Sequence, residues 1–263
     1  MYEVSRFGYF SWKRRGKSKH ALRDIEIKAN IERIFGEYDG IYGSPKIHEL
    51  LKQSGIITGK NRVARLMQES ALKARCARIY KSHTAHDRFY ASIGNKIYDL
   101  EATGPNQIWV GDVTYLRVNE EWRYLAVIMD KFSRRIVGWS LSTKRNVDLS
   151  LTAFKRAASK RLVQSGLYFY SDRGSEYVAY RYRDWLKKQG VVQGLNRKGV
   201  MNDNAEMESF FHLFKAERIH KNEYTTEKEL RAVIIEYVGF YNNKRIHSSL
   251  EYLTPNEYEV IMG

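Results

Sequence analysis

The hydrophobic periodicity changes near residue 105, and this change limits the folds open to the chain. Before it, apolar residues recur every three to four positions, as on one face of a helix. After it, they run in strand-length blocks rich in Val, Ile, Trp and Tyr. Only three prolines occur, Pro45, Pro105 and Pro255, each where an element should begin or end. A helical front part followed by an α/β part is the arrangement this pattern predicts.

In the front part, residues 21–39 place Leu22, Ile25, Ile27, Ile31, Ile34 and Phe35 at mostly helical spacing, with charges between them. Ser44 and Pro45 read as an N-cap and first helical position of a second helix to Gln53, burying Ile47, Leu50 and Leu51. A third helix, Asn61–Glu69, buries Val63, Leu66 and Met67 and leaves Lys60, Asn61, Arg62 and Arg65 outside. Short helices, a glycine-containing turn and an exposed basic helix make the helix-turn-helix pattern. Arg and Lys on such a helix reach phosphates or guanine, and Asn can pair with adenine. A small helical bundle with a solvated basic face would read similarly.

Charge supports nucleic acid as the partner. The 263 residues hold 45 Lys and Arg against 30 Asp and Glu, a formal balance of +15, and residues 1–104 carry 20 of the cations against 11 acids. Lys73, Arg75, Arg78, Lys81 and Arg88 alternate with Tyr80, Phe89 and Tyr90 in residues 71–98, as expected of a linker lying along a nucleic-acid backbone. The single cysteine, Cys76, excludes a disulfide framework and multi-cysteine zinc modules. No apolar run approaches a membrane span and the N-terminus lacks a secretory apolar core, so a soluble, cytoplasmic protein is expected, with no membrane partner. The expected organisation is a basic segment 1–20, a helix-turn-helix domain 21–72, a basic linker 73–104, an α/β domain 105–222 and a helical segment 223–263.

Behind Pro105, Ile108–Val118, Trp122–Asp130 and Arg135–Ser142 read as an antiparallel meander. An amphipathic helix Asn146–Gln164 follows. Next come a strand Leu167–Ser171, a helix Tyr180–Gln189, a strand Val191–Leu195 and a helix from about Asn202 to Arg218. Together they predict a mixed five-stranded α/β sheet flanked by helices. The helix within 227–258 carries Leu230, Val233, Ile234, Tyr237, Val238 and Tyr241. That wide apolar face either packs on the catalytic sheet or meets a second copy of the chain.

Three acids are oddly placed for such a core. Asp112 lies inside the first strand, where aspartate is disfavoured, Asp172 ends the fourth, and Glu208 lies on the helix that follows the fifth. If the first and fourth strands are neighbours, both aspartates reach the same end of the sheet and the helix brings Glu208 beside them. Read singly, each acid is better explained by a turn, a sheet bond or plain exposure; the three together reverse that. Converging carboxylates repel one another and make sense as ligands of hard divalent cations, Mg²⁺ or Mn²⁺. Two such ions would serve an in-line phosphoryl displacement. On the same helix, Asn204, Glu208, His212 and Lys215 share a face suited to a phosphate backbone, and Met207, Phe210, Phe211 and Phe214 form the opposite, core face.

The strings Trp109-Val110-Gly111-Asp112-Val113-Thr114-Tyr115, Tyr170-Ser171-Asp172-Arg173-Gly174-Ser175-Glu176-Tyr177 and Asp203 to Glu217, with 59 and 35 residues between the three acids, resemble the catalytic signature of bacterial insertion-sequence transposases. More narrowly, they resemble the second-reading-frame product of the insertion-sequence-three family, relatives of retroviral integrases. Tyr241-Asn242 with Arg245, His247, Ser248, Leu250, Thr254 and Pro255 resembles that family's C-terminal motif. Tyr42-Gly43 with Ile47, Leu50, Gly55, Val63, Leu66, Met67 and Leu72 resembles its helix-turn-helix.

The resemblance implies a ribonuclease-H-like fold and a DDE transposase that cleaves element ends and joins a DNA 3′-hydroxyl to another strand. It implies two Mg²⁺ ions, replaceable by Mn²⁺, on Asp112, Asp172 and Glu208. The implied partners are double-stranded DNA of the element ends and target, a second copy or higher oligomer on DNA, and an upstream reading-frame product. The alternative function is a DNA-binding regulator, or an inactive remnant, acting through the helix-turn-helix.

Overall fold

The computed structural model describes residues 5–75, 100–161, 163, 165–172, 174–195, 204–220 and 222–263. The expected interleaving of basic and aromatic residues at 76–98 lies outside the described residues, as do Arg173, Asn202 and Asp203. The chain divides near residue 78 into two compact units.

The first unit contains α1 (Arg6–Arg14), α2 (Lys19–Glu37), α3 (Ser44–Gln53) and α4 (Lys60–Glu69). Helix α1 has no counterpart in the periodicity reading: Ser5 caps it by accepting from the Gly8 N–H, and none of its residues is buried. Ser18 caps α2 in the same way. Helix α3 opens at Ser44, with Pro45 second; Gly43, not Ser44 as expected, takes the extended cap position, and no side chain caps the helix. Ile27, Ile31 and Ile34 of α2 join Ile47, Leu51, Val63, Leu66 and Met67 in the core. Leu22 and Ile25, expected with them, are about half exposed. At about 100° per residue they lie about 120–180° round the helix from Ile27, Ile31 and Ile34, away from the buried face.

The second unit is a five-stranded sheet of order β3-β2-β1-β4-β5. Its strands are β1 (Ile108–Val118), β2 (Glu121–Asp130), β3 (Ile136–Ser142), β4 (Tyr168–Ser171) and β5 (Val192–Leu195). The first three pair antiparallel, and β4 runs parallel to both β1 and β5. This is the ribonuclease-H-like arrangement expected. Helices α5 (Val147–Lys160), α6 (Ser175–Val178) and α7 (Tyr180–Lys188) follow the meander and the fourth strand. After the fifth come α8 (Ala205–Phe214), which continues into a π-helical turn Lys215–Ile219, then α9 (Glu227–Asn243) and α10 (Pro255–Met262).

Strand alternation divides the apolar residues between two faces. Trp109, Ala126, Ile128, Val137 and Phe169 pack with Phe154 and Ala157 of α5 and with Tyr182 and Leu186 of α7. Gly138 lets α5 approach: a Cβ there would stand 2.4 Å from the Ala153 carbonyl oxygen. On the other face, Val110, Leu125, Val127 and Met129 pack with Met207, Phe210 and Phe214 of α8 and with Leu230, Ile234, Tyr237 and Tyr241 of α9. The apolar face of α9 is therefore covered by the sheet, which removes it as a surface for a second copy. Its far end is fixed by a buried ion pair between Arg245 and Glu217, Nη2 to Oε1 at 2.8 Å, and the Tyr237 hydroxyl donates to the same carboxylate. Among the described residues, no helix is long and apolar enough to cross a membrane.

Candidate active site

Strand register sets the first two acids side by side. Gly111 of β1 pairs with Ser171 of β4, and Asp112 and Asp172 are the next residues on each parallel strand. Neighbouring strands run about 4.8 Å apart, so the two carboxyls emerge at one end of the sheet. The chain can pass closely there because residue 111 is glycine: a Cβ would lie 2.6 Å from the Phe169 ring. Helix α8 lies across the same face. Its start is tied to the strand by the buried Asn204, whose Nδ2 donates to the Gly111 carbonyl at 3.4 Å.

Glu208, one turn along α8, is exposed, and so is His212, whereas Met207, Phe210, Phe211 and Phe214 are buried. The expected helix phase is therefore correct from Met207 onward. Asn204 departs from it: expected on the DNA-facing stripe, it is buried against β1. It occupies the N-cap position of α8, where the backbone is not yet helical.

The electrostatics of the three acids are linked. Burial pushes the Asp112 carboxyl up to about 7; the backbone N–H of Val113, at 2.7 Å, pulls it down, and the charges of Asp172 and Glu208 push it further up. Burial likewise raises Glu208. Asp172 accepts from the Gly174 N–H at 3.0 Å and lies 3.6 Å from the Arg145 guanidinium. That guanidinium is also held by the buried Glu176 at 2.8 Å. Lys215 is half-buried; burial lowers its ammonium while the charge of Asp112 raises it. Among the described residues, no three His, Cys, Asp or Glu side chains stand close enough to hold one metal ion. The donors are oxygen only, with mutually repelling charge at a buried aspartate, and that chemistry fits a hard divalent cation.

Arg145 and Glu176 were not singled out from the sequence. A lone arginine in the connection between β3 and α5 carries no motif, and Glu176, though it lies in the string around Asp172, has no role assigned by its spacing.

In the first unit, Lys60 and Asn61 are exposed on α4. Arg62 and Arg65 do not simply face solvent. Asp24 of α2 takes Arg62 Nε at 2.6 Å and Arg65 Nη2 at 2.8 Å, and Glu69 takes the other Arg65 nitrogen. The expectation of an uncommitted basic face is corrected at these two positions: α2 and α4 pack side by side and bring an acid 38 residues from Arg62 against the basic helix.

Family models match the same regions. An integrase core domain matches residues 102–200, a second integrase core domain model residues 208–261, and an HTH-like domain residues 21–90. The chain is 37% identical over 252 residues to the transposase for insertion sequence element IS904 of Lactococcus lactis, covering 94% of this chain and 98% of that one. It is 32% identical over 263 residues to the transposase InsF for insertion sequence IS3A of Escherichia coli, covering 97% and 90%. Among solved structures, the HTLV-2 integrase catalytic core domain in complex with magnesium aligns over 60% of this chain and 99% of its own, with a TM-score of 0.47 and 17% identity. Full-length identity to these relatives, with integrase-core and HTH-like matches along the chain, places the protein in the IS3 family of insertion-sequence transposases.

Proposed function

We propose that the protein is a DDE transposase that cuts DNA at the ends of its element and transfers the resulting 3′-hydroxyl to a target strand. The observation that carries this reading is the register of β1 and β4, which sets Asp112 and Asp172 at matched positions beside the helix bearing Glu208. These three residues would hold two Mg²⁺ ions, or Mn²⁺ in their place. When bound, the ions would activate the attacking oxygen and neutralise charge on the phosphate.

The protein's own groups orient the ligands. The Val113 N–H fixes Asp112, the Gly174 N–H and Arg145 fix Asp172, and Asn204 holds the start of α8 against Gly111. His212 and Lys215, one and two turns beyond Glu208, would take backbone phosphates. In the first step water adds to the scissile phosphorus and the 3′ oxygen leaves as a hydroxyl. In the second that hydroxyl attacks a target phosphodiester and displaces another 3′ oxygen. Neither step calls for a protein nucleophile.

Lys60 and Asn61 would contact end DNA directly, and Arg62 and Arg65 would do so by exchanging Asp24 for phosphate. Because two ends must be joined and each chain offers one carboxylate triad, at least two copies are expected on paired ends. The family's upstream reading-frame product remains a candidate additional partner.

Incubating the full chain with end DNA and Mg²⁺, and resolving cleaved from joined strands on a sequencing gel, tests the reading. Asp112→Asn, Asp172→Asn and Glu208→Gln should each abolish both products and leave end binding intact, and Glu206→Gln should be far milder. Cleavage retained in any of the three removes that residue from the site. Ends bound but left uncut by the wild type under all divalent cations would favour a regulator.

A further inference from the structure

Beyond the carboxylates, the β1–β2 hairpin exposes two large aromatic rings. Tyr115 is 58% exposed and Trp122 47%; Tyr115 stands with Arg117 on the outward-facing positions of β1, alternating with the buried Thr114, Leu116 and Val118. The two rings meet edge to face at 5.1 Å between centroids. A cation sits on each: Lys215 Nζ lies 4.5 Å from the Tyr115 centroid, and the Arg117 guanidinium 5.3 Å from that of Trp122. The group borders a cavity of about 610 Å³ that extends to the π-helical turn and Tyr224, and Glu120 and Glu223 are the acids on its wall. Lys215 both lines this cavity and begins the π-helical turn that continues α8, the helix bearing Glu208.

Two exposed rings bracketed by cations, at the mouth of a cavity, form a surface for a planar π-face attached to a phosphate. Duplex DNA offers no such face, because its bases are stacked inside. An unpaired nucleotide does, and base–aromatic stacking with flanking cations is how proteins hold single strands without reading their sequence. Lys215 and Arg117 sit on flexible stems, so both can leave the rings for phosphate when a base stacks.

We propose that Tyr115 and Trp122, flanked by Lys215 and Arg117, bind an unpaired nucleobase of a DNA strand leading away from the carboxylate site. The proposal rests on the reading of the chain as a DNA-processing enzyme and adds a subsite for single-stranded DNA to it. Tyr115 and Trp122 would hold an end frayed, so that the strand to be cut is separated from its complement.

The test is fluorescence anisotropy of the full chain, in chelator so that no cleavage intervenes, on three labelled DNAs: a blunt duplex, the same duplex with a short single-stranded overhang, and that overhang made of abasic sites. The wild type should bind the base-bearing overhang about tenfold more tightly than the abasic one. Trp122→Ala and Tyr115→Ala should remove that difference and leave blunt-duplex binding unchanged. Trp122→Phe should keep most of it, which separates loss of stacking from loss of fold.

Equal affinity of the wild type for the base-bearing and abasic overhangs overturns the proposal. So does a difference that survives Trp122→Ala, including the case where that variant instead loses self-association and the rings prove to be a protein contact. Failure of the cleavage assay alone would remove the catalytic reading and leave the overhang preference standing.

Discussion

The two units handle charge in opposite ways. In the helix-turn-helix unit, two of the basic side chains that should meet DNA are already matched: Asp24 holds both Arg62 and Arg65, and these two, Arg65 foremost, keep its carboxyl below the usual range. In the catalytic unit, Asp112 is pushed up to about 7 by burial and by two further acids. The same unit also contains acids with full complements of donors. Glu217 is buried with Arg245 and Tyr237, and Glu259 receives Arg161, Ser133 and Arg135. Acids that hold the fold together are satisfied by guanidinium partners, whereas among the acids proposed to do chemistry Asp112 is pushed up by its acidic neighbours and Asp172 only shares the Arg145 guanidinium with Glu176. The first kind is at rest as it stands; the second is relieved by a cation.

The comparison breaks most readily at the buried pair. Arg245→Ala leaves Glu217 charged in the interior and should cost about 3–5 kcal/mol, read as a shift of the urea midpoint of the catalytic unit. A loss under about 1 kcal/mol would mean that water reaches Glu217, and the contrast between structural and chemical acids would fade.

Glu259 sharpens it. Burial alone would raise this carboxyl, but hydrogen bonds from Arg161, Ser133 and Arg135 outweigh it and hold it below its ordinary value. A lowered carboxyl contributes stability above its unfolded pKa and loses it as the pH falls through the folded value. Glu259→Gln should therefore cost about 1.5–3 kcal/mol at neutral pH, and the difference from wild type should shrink in acid, below about pH 4.5. Thermal unfolding from neutral to acid pH checks this; a constant gap would show that the carboxylate's charge plays no part.

The smallest effect is expected in the first unit. Asp24→Asn removes the acid that competes with phosphate for Arg62 and Arg65. Affinity for non-specific duplex should rise several-fold, with a steeper salt dependence, while the fold is little changed. Unchanged affinity and salt slope would show that these arginines serve only the packing of α2 on α4.

Much of this was legible in the sequence. The bounds of β1, β2 and β3 follow from alternation and β-branched composition, and agree with the structure to within one residue. The buried face of α8 follows from helical spacing because four large apolar residues fall on it. What could not be read is non-local or lies at element ends. Periodicity carries no information on Asp24 meeting Arg62 and Arg65 across two helices, or on Arg145 bridging Asp172 and Glu176. Asn204 fits a helical wheel but lies at the cap, where the wheel no longer describes the backbone. Leu22 and Ile25 are a different case: a strict helical wheel sets them opposite Ile27, Ile31 and Ile34, and they are exposed.

The central claim, that Asp112, Asp172 and Glu208 act together as a divalent-cation site, is tested most directly by titrating Mn²⁺ into the full chain with end DNA present and following the free ion by electron paramagnetic resonance. The account predicts saturable uptake approaching about two ions per chain, with Asp112→Asn and Asp172→Asn each losing most of it and Glu206→Gln keeping it. Uptake by both aspartate variants equal to that of the wild type would contradict it.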